Sequence, residues 1–275
     1  MFRLYGSDDI RHVIIVPVTL LLDLLFALAL AACSNADSVD RSVAASDSDQ
    51  KLRTEAAVAG AGETTVGIAA AAGETGDPSG VPFRTRPEAS GGSSYETDAV
   101  LAVRHGAHEG YMRVVLDFGT GDRPSETVPE WTLMSSAGTG LLRMTLPSMS
   151  RTDVSDGTFG DTLLEGFYVV RAPEGGLFVD VLTRESFAYR VLELSDPARL
   201  VVDFKPTGSP LKTHPPAVGG DTVVLEPRAG TRIGSPLTIC GYSRNFEASN
   251  TIILTNPEGK AVVRRTVLSN DWAST

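Results

Sequence analysis

Side chains able to do chemistry are few in this chain and rarely spaced for it. Ser209-Pro210-Leu211-Lys212 has the Ser-x-x-Lys spacing of a lysine-activated serine, but that pairing needs a helical turn to stack the two side chains. The surrounding PTGSPLKTHPPAVGG is a proline- and glycine-rich linker that disfavours a helix, so the match is assigned to chance. His105 and His108 could share one side of a turn, yet the third ligand that a metal site needs does not accompany them. Asp153, Asp156 and Asp161 surround glycines without the spacing of a calcium loop. A glycine-rich phosphate loop after a strand and a nucleophile elbow are both lacking. These residues predict a non-enzymatic protein without cofactor or metal.

What remains for ligand contact is His108, Arg113 and Arg199. Each arginine opens an apolar run that closes on an acid and an aromatic ring, RVVLDF from Arg113 and RLVVDF from Arg199. Two readings follow. The charges at Arg113 and Asp117, and at Arg199 and Asp203, point outward and solubilise the strand faces, or the arginines hold an anion or a glycan. The solubilising reading carries more weight.

The elements that position these residues are β-strands. Beyond Ala99 the apolar pattern has period two, as in Met112, Val114, Leu116 and Phe118 with Arg113 and Asp117 on the opposite face. Further strands are expected at 100–104, 141–146, 166–170, 177–182, 187–194 and 200–204. No convincing amphipathic helix interrupts them, which predicts an antiparallel sandwich or barrel-like sheet. After the linker, shorter strands are expected at 222–225, 235–239, 251–254 and 261–263, with a turn at Asn256-Pro257-Glu258-Gly259. The fold class expected is therefore all-β, two sandwich-type domains, at 99–208 and 222–275, joined by a Pro/Gly linker at 209–221.

Everything before them has a different composition. Residues 13–32 read VIIVPVTLLLDLLFALALAA, preceded by Arg3, Arg11 and His12 and followed by Cys33, the layout of a secretory signal. A retained membrane helix is disfavoured by Pro17 and by Asp23, which costs about 2.5–3.5 kcal/mol at a helix centre. Residues 34–98 are rich in Ala, Gly, Ser, Asp and Glu and poor in large apolar side chains. Such a segment cannot bury enough surface to offset its ordering entropy and is expected to be a disordered tether. The 275 residues carry 24 Lys plus Arg against 34 Asp plus Glu, a net charge of -10. Most of the acidic excess lies in that tether, and the balance argues against a nucleic-acid partner.

Three resemblances add to this reading. Leu30-Ala31-Ala32-Cys33 resembles the lipobox of bacterial lipoproteins, which implies cleavage before Cys33, lipidation of its sulfur and anchoring at the outer side of the cell membrane. A lipidated Cys33 leaves Cys240 without an intramolecular partner, as a buried or free thiol. The segments RHGAHEGYMRVVLDF, from Arg104, and YRVLELSDPARLVVDF, from Tyr189, resemble the AMIN-like domain of actinobacterial lipoproteins. That resemblance implies an envelope docking domain, in some relatives a binder of cell-wall glycan (peptidoglycan). The string GSPLTICGYSRNFEASNTIILTNPEGKAVV is similar to the immunoglobulin-like domain of bacterial spore-germination lipoproteins, with Ser235, Pro236, Leu237, Gly241, Phe246, Glu247 and Gly259 on its motif. That domain normally continues past the tryptophan found here at Trp272. An incomplete sandwich leaves an open edge, so a truncated reading frame, or a partner that completes the sheet, is expected. The function implied is a non-catalytic binding module for cell-wall glycan, with an envelope protein-interaction scaffold as the alternative.

Overall fold

The computed structural model describes residues 80–244 and 249–268 in full, and the backbone alone at 3–4 and 12–17. Two strands precede the folded body, β1 (Arg3–Leu4) and β2 (His12–Pro17). The first domain contains β3 (Glu88–Gly91), β4 (Ala99–His108), β5 (Tyr111–Thr120), β6 (Arg123–Pro124), β7 (Trp131–Ser136), β8 (Leu141–Leu146), β9 (Arg151–Thr152), β10 (Asp156–Thr158), β11 (Leu164–Arg171), β12 (Leu177–Thr183), β13 (Phe187–Leu194) and β14 (Arg199–Pro206). The second contains β15 (Ala217–Gly219), β16 (Thr222–Glu226), β17 (Leu237–Thr238), β18 (Cys240–Ser243), β19 (Ser249–Thr255) and β20 (Ala261–Leu268).

The first domain is a sandwich of two sheets, ordered β10-β11-β12-β8-β7-β3 and β13-β14-β5-β4-β9. Its core is built by period-two alternation from both inner faces. Val114, Leu116 and Phe118 of β5 and Leu200, Val202 and Phe204 of β14 meet Leu133, Leu142, Met144, Val179 and Val181 of the facing sheet. The all-β class read from the sequence is the class observed, and β8 and β13 have the bounds that the pattern predicts.

The tether expected to run to residue 98 ends earlier. Glu88–Gly91 adds an antiparallel edge strand to the first sheet, with Gly91 opposite Trp131. Ahead of it, Arg84 exchanges two backbone hydrogen bonds with Tyr189 of β13, at 2.8 and 2.9 Å. Small and polar residues hide this strand from a hydrophobicity pattern, because it is held by its backbone. Residues 34–79, like Cys33, lie outside the described residues.

The Pro/Gly linker is laid along the first domain. Ser186 N–H donates to the Ser209 carbonyl at 3.1 Å, and Lys212 N–H to that of Gly138 at 2.7 Å. The second domain then docks on the outer face of β11 and β12. Val223, Leu225 and Tyr242 pack with Val170, Phe178 and Leu182 in one buried cluster, and the ring of Tyr242 lies 5.6 Å from that of Tyr168 and 6.0 Å from that of Phe178. The second domain's own core is small, formed by Leu237, Ile239, Ile252, Leu254 and Val267. Its strands fall in the sheets β15-β16-β18, β2-β19-β20 and β1-β17, and His12–Pro17 pairs antiparallel with Asn250–Thr255.

Cys240 falls on the opposite face from Leu237 and Ile239, as the alternation predicts, packing beside the interdomain cluster. It is disulfide-bonded, which corrects the expectation of an unpaired thiol.

Candidate functional site

The strand register decides the fate of the two Arg/Asp runs. Because β5 and β14 are antiparallel, Arg113 stands opposite Asp203 and Arg199 opposite Asp117. Arg113 grips Asp203 with two hydrogen bonds, from Nε at 2.7 Å and from Nη2 at 3.0 Å. From β13, Arg190 Nε donates to the same carboxylate at 2.7 Å. Asp203 is 0% exposed, Arg190 2% and Arg113 9%.

These groups are therefore buried, and neither the solubilising reading nor direct ligand contact describes Arg113. The physical reason is a strap that hydropathy does not reveal. Phe83 lies across the outer face, with the Arg190 guanidinium 4.7 Å from its ring centre and Tyr111 at 5.7 Å. Arg190 also sits 4.9 Å from the Tyr111 ring. Rings against the Arg190 guanidinium exclude water from it while their π faces favour the charge.

His108 is stacked flat on Tyr111, ring centres 4.8 Å apart, so it adjoins the Arg113 cluster. Arg199 does not. It lies four residues along β14 from Asp203, about 13 Å at ~3.3 Å per residue, and its Nε donates to the Pro197 carbonyl at 3.3 Å. Asp117, its register partner, is held by Arg104 at 2.6 and 2.7 Å, a hydrogen-bonded pair that raises the arginine's pKa. The three candidate residues thus do not converge on one ligand.

An outward-facing recess does exist where two of the sandwich's edge strands, β3 and β13, approach each other. It is a groove of about 520 Å3 whose walls include Arg84, Arg86, Glu88 and Glu193, with Trp131 beneath. Glu193 Oε1 accepts hydrogen bonds from Trp131 Nε1 at 2.8 Å and from Gly92 N–H at 2.7 Å. A side chain at Gly91 would collide with Glu193 and Trp131, so the glycine permits this close approach. Trp131 is only 4% exposed and offers no open face for a sugar to stack on. Sequence reasoning missed the groove because β3 and β7 were not recognised as strands. The Trp131/Leu133 alternation was the available signal, obscured by Met134, an exposed apolar residue on the polar side.

The remaining sequence candidates are structural. Asp161 Oδ1 caps a turn by accepting from Leu163 and Leu164 N–H at 2.7 and 2.6 Å. Asp156 pairs with Arg244 across the domain junction at 3.1 Å, and Asp153 with Arg151 at 2.9 Å. The His105 ring packs on Phe159, centroids 4.7 Å apart. Ser209 and Lys212 lie in a non-helical segment. Among the described residues, no group of three or more His, Cys, Asp and Glu is arranged to hold a metal ion.

On the far side of the sandwich, the domain junction contains a second buried pair. Arg143 donates to Asp180 at 2.7 and 2.8 Å, with its guanidinium 3.9 Å from the Phe178 ring centre. Burial disfavours the Arg143 charge, but Asp180 outweighs it and holds the pKa above the ordinary arginine value. Burial also pushes the Tyr242 hydroxyl well up, helped by Asp180, and raises Tyr168 to about 12, with Asp156 and Glu165 adding to it.

Residues 222–275 match the family model described as the immunoglobulin-like domain of bacterial spore germination. The match spans the docked second domain from the first residue of β16, in agreement with the resemblance carried by its motif. Phe246 and Glu247 of that motif, and Trp272 beyond it, lie outside the described residues. No curated protein and no solved structure matches the chain.

Proposed function

We propose that this chain is a non-catalytic docking protein of the cell envelope, anchored at the membrane's outer side, in which the second domain makes contact with a partner protein. The observation that carries this reading is the match of 222–275 to an immunoglobulin-like germination domain. An exposed sheet edge can take up an extended segment of a partner by strand addition. The first domain acts as its support, covering the outer face of β16 and β18 through the Tyr242 cluster. The resemblance of the first domain to AMIN-like modules, and of 30–33 to a lipobox, supports the envelope setting. In situ crosslinking of the full chain, followed by mass spectrometry, tests the contact. Recovery of one envelope protein is expected, and crosslinks only between copies of the chain would overturn it.

Glycan binding is the second reading, and the groove of Arg84, Arg86, Glu88 and Glu193 is the place for it. Its polar rim suits hydroxyl and amide groups, but the buried indole weakens it as a sugar platform. Co-sedimentation with purified cell-wall sacculi at low and moderate salt separates the two readings, and failure to sediment sinks this one. The anchor has its own test. A thioether on Cys33 leaves no intrachain sulfur for Cys240, so non-reducing mass spectrometry of the mature protein shows a lipid or a disulfide, and an intact Met1 contradicts the anchor.

A further inference from the structure

β19 has the composition of a strand that requires two neighbours. From Ala248 to Pro257 the chain carries no charge, and Asn250, Ile252 and Leu254 are 0–1% exposed. β20, on one side of it, is built as an outer strand, with Arg264 and Arg265 exposed to solvent, the usual protection of an edge against further pairing. β19 lacks that protection. In the structure its other side is filled by His12–Pro17, which runs antiparallel in unbroken register from Pro17 opposite Asn250 to His12 opposite Thr255. The occupying strand is β-branched at Val13, Ile14, Ile15 and Val16, the residue type that suits a pleated surface. It ends at a proline, which cannot continue a ladder.

The same residues open the apolar run that reads as a cleavable leader. Cleavage before Cys33 removes the strand and leaves the backbone N–H and C=O groups along one side of β19 without partners. We propose that this side of β19 is a strand-acceptor site, that its ligand is an extended antiparallel segment of β-branched residues from a partner protein, and that His12–Pro17 is its removable internal occupant. The proposal rests on the protein-interaction reading and specifies its mode. Backbone hydrogen bonds supply affinity and alternate side chains supply selectivity.

The test uses the full chain and a fluorescent peptide of residues 11–19, read by anisotropy. Successive amides of a strand point to opposite sides, so the double substitution Ile14→Pro, Ile15→Pro removes at least one donor aimed at β19 whichever way the strand is phased. The variant is expected to bind the peptide at least tenfold tighter than the parent, in which the site is filled. Equal affinity, or no binding by either, overturns the proposal. Ile15→Lys provides a gentler displacement if the prolines unfold the second domain, and it too must bind more tightly than the parent. Envelope-protein crosslinks that form without any peptide binding would overturn the strand site and leave the interaction reading standing.

Discussion

The two outer faces of the first domain's sandwich use the same device and differ in what covers it. On one face Asp203 is shared by Arg113 and Arg190 beneath the Phe83 strap. On the other Asp180 is held by Arg143 beneath the second domain. The first cover is a short piece of chain joined by the Arg84–Tyr189 bridge; the second is a separate hydrophobic core. A buried ion pair stabilises little in itself, because desolvation offsets its attraction. What the pairs do is make each face intolerant of losing its cover or its counter-charge, since an uncompensated buried charge is severely unfavourable.

Substitutions that remove one charge separate the two faces. Asp203→Asn leaves two guanidinium groups, on side chains 11% and 2% exposed, without their anion. It should cost about 3–5 kcal/mol in urea unfolding of the first domain. Asp180→Asn should cost less, about 2–4 kcal/mol, because the side chain of Arg143 is 21% exposed and reaches water more readily. It should also loosen the junction, read as faster proteolysis within 207–220. A loss equal to that of Asp203→Asn would erase the distinction. Phe83→Ala strips the strap's only ring from the Arg190 face and should cost about 1–2 kcal/mol, with faster hydrogen exchange at Tyr189 and no change at the second-domain junction. Arg244→Ala breaks a half-exposed pair with Asp156 and should cost under about 1 kcal/mol. The smallest effect near neutrality belongs to Tyr168→Phe. The native pKa near 12 lies above the unfolded value of 10.0, so stability is retained below pH 10 and declines as pH rises toward 12, where the unfolded chain ionises first. The phenylalanine variant should show a shallower decline in that window by alkaline denaturation.

Strands with strong alternation were legible in the sequence, and β5, β8, β13 and β14 lie where Val, Leu and Phe recur at every second residue. β3 was not legible, since Glu-Ala-Ser-Gly has no apolar face and is fixed by backbone pairing to β7. The site fared worse for a related reason. Arg113 and Arg199 occupy equivalent places in matching runs, yet one is buried beside Tyr111 and the strapped Arg190 and the other is half-buried. The difference comes from a segment more than twenty residues away in sequence, and local pattern carries no record of such coverage. The Arg-to-Asp spacing of four did contain usable information. In two antiparallel strands in this register each arginine stands opposite the other strand's aspartate, but only Arg113 and Asp203 form an ion pair, because Asp117 is taken by Arg104.

The strap has a mechanical consequence. A pull on the chain ahead of Gly80 loads the contacts of Val81 and Phe83 with Arg190 and the two backbone hydrogen bonds of the Arg84–Tyr189 bridge before it loads the longer β3–β7 ladder. Tension would therefore open the molecule from the strap inward, baring Arg113, Asp203 and Arg190 while the sandwich behind them stays whole. The face most thoroughly sealed at rest is the one that stretching would uncover first.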